Sequence, residues 1–517
     1  MVSINTLKAK MVNSMIDTII IIAIIAIVVV VGIKGYKIKE TLDGFFLAEK
    51  GLGPWVLAFS IMATYFSAAS FLGGGGATYL YNLGFGSWLT AWHIIGVVLM
   101  WILVGERLFK FARNTGIISI SEFIEKRYES KGARIISAIV IIFLFTLYLT
   151  SVYKGGAIIL ATILNTSFEI GLLLLAIPVL IYITIGGLRA AAITNLILGF
   201  LMIFAAFLTF GLIMYAIGGP INGLNTLSQM KIANSIPGSL WLKFDGMGPP
   251  PAMSVGTVPL LIMSITFSIS VPQIALPNLL MQFYAAKNEK VIIKGRIIGP
   301  ILVALYAAPM FSLGAFCHLI LDDKIGSTGV MTLLKDSDWV IPKTIEMIAP
   351  SGIKGIILAA PIAASMSTLS VTLLVLSAAL TNDIIKPIKP NINEKKLILI
   401  ARIASIIFAI ISLLLTLIRT GIIVEIVGAA FGTIFACFFG PITIGLYWKK
   451  ATKEGTIASM ISGLIIGLLW FLFIYKSTSV PPTIAWIYPV VPALAISIPI
   501  FFIVSIATRK KVLEVKK

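Results

Sequence analysis

Apolar runs of about 20 residues, each bounded by charge, Gly or Pro, recur along the whole chain, and a helix of that length crosses about 30 Å of hydrocarbon. Thirteen such runs stand near 16–33, 54–80, 85–104, 133–152, 168–187, 190–216, 255–281, 297–321, 353–380, 397–417, 422–447, 455–474 and 485–506. They leave no stretch free to fold as a soluble domain, so the pattern predicts one all-α, polytopic membrane domain over residues 1–517. The first run, Ile16 to Val31, is followed by Ile33-Lys34-Gly35-Tyr36-Lys37 with no small-residue cleavage pattern. It is read as a retained helix and not as a signal peptide.

Composition agrees with this: the chain is 59% hydrophobic and 12% charged, with a mean hydropathy of +1.05. The net charge of +19 would fit a nucleic-acid partner, but the basic residues gather beside the spans, where topology and anionic lipid account for them. With thirteen spans the termini lie on opposite sides. Sorting Lys and Arg by loop parity puts 29 of the 40 on one side, including Lys34, Lys37, Lys39 and Lys50, the stretch Arg107 to Arg134, Lys287 to Arg296, Lys386 to Arg402 and the Arg509 to Lys517 tail. The other 11 include Lys154, Lys231, Lys243, Lys324, Lys335 and Lys476. The excess places the C-terminus in the cytoplasm and the N-terminus outside. One miscounted span would have collapsed the asymmetry.

Two segments are not ordinary helices. The second run carries Ala63-Thr64-Tyr65-Phe66-Ser67-Ala68-Ala69-Ser70-Phe71-Leu72 followed by Gly73 to Gly76. Close packing of small residues explains part of this. The sharper reading is a break near Ala63 to Phe66, which frees carbonyl oxygens that a dehydrated cation would satisfy. The ninth run places Ala364, Ser367 and Thr368 at i, i+3 and i+4, so one face carries a carbonyl and two hydroxyls. Taken alone, such hydroxyls bond back to their own helix. Acidic residues are almost absent from the span interiors, with Glu106, Glu169 and Glu425 near predicted ends. A proton relay through carboxylates therefore has little to work with, and neutral oxygens suit a hard monovalent cation such as Na+.

At these segments the chain resembles the solute:sodium symporter family, nearest to its pantothenate permeases and monocarboxylate carriers. The phrases that carry the likeness are Phe46-Leu47-Ala48 to Leu52-Gly53, Ala63-Thr64-Tyr65 with Ser67-Ala68-Ala69-Ser70-Phe71, Ile183 to Arg189, Leu358-Ala359-Ala360-Pro361 with Met366-Ser367-Thr368, and Gly445-Leu446-Tyr447-Trp448. The resemblance implies a LeuT-like core of two inverted five-helix repeats, over 54–216 and 255–447, with peripheral helices at 16–33 and within 455–506. It also implies Na+ as the coupling ion, held by Ala63, Phe66, Ala364, Ser367 and Thr368.

For the solute, Tyr65, Ser67, Ser70 and Gln273 are the expected contacts, Gln273 lying in a seventh run interrupted by Pro272 and Pro277. Helix–helix hydrogen bonding is the plainer account of Ser70 and Gln273 taken singly. His93 is read as packing, as are Cys317 and Cys437, which lack metal-ligand spacing. The implied function is import of a small organic solute, a monocarboxylate or pantothenate-like compound, with Na+ across the plasma membrane. A proline or sugar carrier and a proton-coupled carrier are the alternatives within the fold; a solute sensor or channel is the alternative outside it. No G-x-x-x-x-G-K-[ST] loop supports an ATP-driven pump, no nucleophile elbow or other catalytic constellation supports an enzyme, and no obligate protein partner is evident.

Overall fold

Helix starts follow the local chemistry of the chain. Ser119, Ser130, Ser167, Asn288 and Thr452 each precede a helix and accept an amide of its first turn, from Glu122, Ala133, Ile170, Val291 and Gly455 respectively. Each satisfies a donor that the helix itself cannot. The structure is a computed structural model and describes residues 4–34, 41–242, 258–418 and 421–509. Lys37, Lys39, Lys243 and the tail beyond Arg509, which enter the charge asymmetry, lie outside the described residues, as do the first positions of the predicted span at 255–281.

In chain order the principal helices are α1 (Ile4–Lys34), α2 (Pro54–Tyr65), α3 (Ser70–Leu80), α4 (Leu83–Thr115), α5 (Ile120–Tyr128), α6 (Lys131–Leu164) and α7 (Phe168–Ala216). The second half has α8 (Val258–Ser270), α9 (Glu289–Met310), α10 (Gly314–Lys335), α11 (Val340–Ile348), α12 (Ile353–Ile388), α13 (Glu394–Thr416), α14 (Ile423–Ile444), α15 (Lys453–Ile474) and α16 (Val490–Thr508). A two-residue antiparallel pair, Lys231–Ile232 with Ile236–Pro237, lies in the connection before α8. Among the described residues ten helices are long and apolar enough to span a membrane, and the bent pair α2 and α3 makes an eleventh. Met15–Val31 and Phe168–Leu180 are shorter apolar helices. The protein is a multi-pass membrane protein.

The predicted spans 168–187 and 190–216 join in the single 49-residue element α7. Straight, it would reach about 73 Å, more than twice a bilayer core. Yet Phe168, at its start, lines a cleft with Tyr81, while Ile217, at its end, packs beside Phe316, two residues from the His318 ring that stacks on Tyr79. Both ends lie on one side of the protein, so α7 doubles back. The predicted span 297–321 likewise falls on two helices, α9 and α10, joined at a turn after Met310.

Burial separates centre from periphery. In the most apolar stretch of α12, 94% of residues are buried inside the protein, against 22% in α15 and 28% in α16. The outer helices expose Phe200, Ile297, Leu472, Phe473 and Ile503, an apolar surface that lipid covers. Helix α1 is tied to the centre by Asp17, which is 1% exposed and accepts the amides of Gly352 and Gly355 at 2.7 and 3.0 Å, with the Lys354 ammonium at 3.0 Å. It caps α12 from a neighbouring helix, where a carboxylate meets the positive end of the helix dipole.

Buried carboxylates are more frequent than the sequence suggests. Asp17, Asp322, Asp338, Asp383 and Glu425 are all at most 8% exposed. Each lies beside a cation or imidazole: Lys354, His318, Lys154, Arg134 and Lys476 respectively. Cys317 and Cys437 are buried and free.

Candidate functional site

The first break falls where the sequence places it. Helix α2 ends at Tyr65, Phe66 is extended at φ −87°, ψ 122°, and α3 resumes at Ser70 with the two halves bent by 64°. Ser67 restarts the chain: its hydroxyl accepts the Ala69 amide at 3.1 Å and its carbonyl the Ser70 amide at 3.0 Å. Because α2 stops, the carbonyls of its last turn lose their helical amide partners.

Hydroxyls of α12 take them instead. Thr368 Oγ1 lies 3.1 Å from the Thr64 carbonyl oxygen and 3.5 Å from that of Ala63, and Ser367 Oγ lies 3.4 Å from Ala63 O. Ala364 stands one turn before Thr368 on the same face of α12, and Phe66 sits at the break itself; all five residues are buried at or below 1% exposure. The structure thus brings Ala63, Ser367 and Thr368 together directly and keeps Phe66 and Ala364 beside them.

Asn195 on α7 completes the cluster, and no motif or spacing along the chain marks it. Its amide donates to Ser60 Oγ at 3.3 Å and Thr64 Oγ1 at 3.2 Å, and its carbonyl oxygen accepts the Ser367 hydroxyl. Gln282 also donates to Thr64 Oγ1, at 3.1 Å. One polar Asn in an apolar helix is a common packing device, and only the fold reveals that it faces the break.

These oxygens can hold a small cation. Na+ has nearly the radius of Ca2+, and oxygens about 2.4 Å from such an ion stand about 3.4 Å apart along the edges of an octahedron. The hydroxyl-to-carbonyl separations of 3.4 and 3.5 Å match that edge. Among the described residues no group of three His, Cys, Asp or Glu offers a site for a transition metal. The donors are neutral oxygens, which suit a hard monovalent ion.

Beside the break lies a small cavity of about 30 Å³, walled by Tyr65, Phe66, Ser67, Ser70, His93 and Phe431 among others. That is room for no more than a water or two, so Tyr65, Ser67 and Ser70, three of the expected solute contacts, border a space too small for an organic solute. The Tyr65 hydroxyl donates to Ile269 O at 2.7 Å, and Ser70 Oγ lies 3.0 Å from Tyr306 Oη and donates to Ser67 O at 2.7 Å. His93 is both packed and exposed to this cavity: Nδ1 lies 2.6 Å from Leu89 O and 2.6 Å from Ser270 Oγ.

Gln273 stands apart from the cavity lining. Its amide donates to Ser270 O at 2.8 Å and to His93 O at 3.1 Å, so it fastens the second break to α4. That break follows the prolines: α8 ends at Ser270, a short 3₁₀ turn covers Val271–Ala275, Leu276 is extended, and helix restarts at Pro277. Pro272 and Pro277 supply no amide hydrogen there.

Residues 45–463 match the Sodium:solute symporter family. The chain is similar to the sodium/pantothenate symporter of Haemophilus influenzae, 30% identical over 82% of this chain and 83% of that protein. It is also similar to the sodium/pantothenate symporter of Escherichia coli, at 28% over 91% and 93%, and to the sodium/proline symporter of Staphylococcus aureus, at 27% over 99% and 96%. Among solved structures, a Na+-coupled sialic acid symporter in a substrate-bound outward-open state shares the fold with a TM-score of 0.75 at 17% identity, covering 95% of this chain and 98% of that one. Mhp1, a nucleobase-cation-symport-1 family transporter, aligns with a TM-score of 0.54 at 13% identity, covering 90% and 95%. With a broken helix, a cation-sized set of oxygens and a family match over most of its length, the chain belongs to the sodium:solute symporter family.

Proposed function

We propose that the protein imports a small organic carboxylate, of the pantothenate or short monocarboxylate class, together with Na+ bound by Ala63, Phe66, Ala364, Ser367 and Thr368. The observation that carries the reading is the pairing of the α2 break with the α12 hydroxyls, at 3.1 to 3.5 Å. Na+ entering there ties the two helices together. Tyr65, Ser67 and Ser70 border the cavity next to the ion, so solute and ion share the segment Ala63 to Ser70. Gln273 acts on the solute through the second break and the His93 backbone. The carboxylate class rests on the relatives named for pantothenate, and on half-helix amides after Ser67 as donors to an anion.

The proposed architecture has thirteen spans: a peripheral helix at 16–33, inverted repeats over 54–216 and 255–447, and two peripheral helices within 455–506. The C-terminus is cytoplasmic. Breaks at equivalent places in both repeats, at Phe66 and at 271–276, support this arrangement. Each Na+ moving with a neutral solute draws on about 2.3 kcal/mol per 100 mV of potential, whereas one Na+ with a monovalent anion forgoes that contribution. No step calls for bond chemistry, so the reading is of a carrier and not of an enzyme.

The test is uptake into proteoliposomes of labelled pantothenate, lactate, proline and glucose, with and without an inward Na+ gradient at fixed pH. Na+-dependent accumulation of pantothenate or lactate is expected. Accumulation of proline alone would move the solute class, and accumulation driven only by a pH gradient would overturn the ion assignment.

A further inference from the structure

At the turn from α12 to α13 the chain sets Lys386, Lys389, Lys395 and Lys396 close together, with Glu394 as the only acid between them. None of these lysines makes an ion pair within 4 Å among the described residues. The nearest carboxylate on α12, Asp383, is 1% exposed and engaged with Arg134 at 3.1 Å and Ser119 at 2.6 Å. Ammonium groups crowded on one turn repel one another, and an anion seated among them relieves that cost.

Lys389 and Lys396 line an open groove of about 710 Å³, together with Asn391, Ile388, Ile392 and Ile400 among others; Glu394 is not part of its lining. An apolar track leads from this groove down α13, which is long and apolar enough to span a membrane. From Lys396, positions 400, 403, 407, 411 and 414 recur at steps of three and four and so share one helix face. On that face Ile403, Ile407, Ile411 and Leu414 are 48, 50, 40 and 55% exposed. Lys396 to Ile407 spans about 16 Å along the axis, close to half a bilayer core and to the depth of one acyl chain.

A molecule that fills both parts has an anionic head and a long apolar tail. We infer that this groove binds one anionic phospholipid, with Lys389 and Lys396 receiving the phosphate and an acyl chain lying along Ile400, Ile403 and Ile407. Lys386 and Lys395 add to the local positive field. A zwitterionic head brings a further cation to a turn already crowded with them, so the groove discriminates against it. The turn follows directly on Asn382 and Asp383, which hold Arg134 of α6 at 2.8 and 3.1 Å. Helix α12 is thus held by Asp17 at its start and by lipid at its end. The site is independent of the solute and of Na+.

Full-length protein purified in a neutral detergent is titrated with dioleoylphosphatidylglycerol and, separately, with dioleoylphosphatidylcholine, and bound lipids are counted by native mass spectrometry. The first phosphatidylglycerol should bind about tenfold more tightly than phosphatidylcholine. Lys389→Gln with Lys396→Gln should weaken phosphatidylglycerol about 10- to 30-fold, the worth of two lysines beside an anionic headgroup, and leave phosphatidylcholine unmoved. Lys449→Gln with Lys450→Gln, an exposed pair outside the groove, should keep wild-type binding, and excess inorganic phosphate, which lacks a tail, should not displace the lipid. Equal binding of the two lipids or equal weakening by the two lysine pairs overturns the proposal. Displacement by inorganic phosphate overturns it as well, since the turn would then hold a free anion and no lipid.

Discussion

The hydroxyl of Thr368 lies 3.1 Å from the carbonyl oxygen of Thr64, so the most buried helix of the protein touches the broken one at the point where its backbone is unsatisfied. In hydrocarbon such carbonyls need partners. A break and a hydroxyl-bearing face are therefore mutually dependent, and an ion that fits between them joins two helices that otherwise meet through weak, long hydrogen bonds.

Replacing Ser367 and Thr368 together by Ala removes two of the oxygens. At about 0.7–1.4 kcal/mol each, the half-saturating Na+ concentration should rise about 10- to 100-fold. Initial uptake rates against Na+ concentration read this directly. An unchanged half-saturation would remove both residues from the ion site.

Asn195 makes a different prediction, because it orders the hydroxyls rather than standing at the break. Asn195→Ala strips partners from Ser60, Thr64 and Ser367 at once, at a cost of about 1–3 kcal/mol for buried groups left unpaired. The thermal midpoint in K+ buffer should fall, and the rise in midpoint on adding Na+ should shrink, since binding stabilises only the folded state. A variant that melts earlier but keeps the full Na+-induced rise would make Asn195 purely structural.

The contrast between these residues explains what could be read from the chain. Apolar run length places most of the long helices, because lipid punishes any unsatisfied backbone. Small and hydroxyl residues crowding Ala63 to Ser70 mark the break, and i, i+3, i+4 spacing marks Ala364, Ser367 and Thr368. Asn195 escapes because a lone Asn carries no periodicity, and its role depends on α7 doubling back to meet α2 and α12. Gln273 shows the converse: its prolines mark a real break, but which way an amide points across it is decided by packing against α4. The buried Asp17 and Asp383 escape for the same reason, since their partners, Lys354 and Arg134, are hundreds of residues away in sequence.

Gly96 tests the second break. A Cβ there would come within 2.4 Å of Ser270 O and 2.9 Å of Gln273 Nε2, and the nearer atom is backbone at the end of α8. Gly96→Ala should push the 3₁₀ turn away from α4 and cost about 1–3 kcal/mol by overpacking, with solute half-saturation raised as well. Midpoint and uptake in the same preparation check it; a variant with wild-type values in both would mean the turn yields without consequence.

Lys154 and Asp338 form an ion pair beside the cleft that Tyr81 and Phe168 line, at 2.7 Å with Asp338 fully buried. Burial pushes the Asp338 carboxyl upward from its usual range, and the Lys154 ammonium pulls against that. Lys154→Met leaves the carboxylate unpaired, at a cost of about 3–5 kcal/mol. Its carboxyl then holds a proton more tightly folded than unfolded. A group raised in this way is least harmful below its unfolded value, about 3.9, and stability falls as pH rises through the window up to the folded value. Lys154→Met should therefore give more monodisperse protein at pH 5 than at pH 8 in size-exclusion chromatography. Adding Asp338→Asn removes the charge while an amide oxygen still accepts the Ile423 amide now held at 3.0 Å, so the double variant should recover most of the yield and lose the pH dependence. Equal loss in single and double variants would mean that the Lys154 stem and not its charge holds α6 to the start of α14.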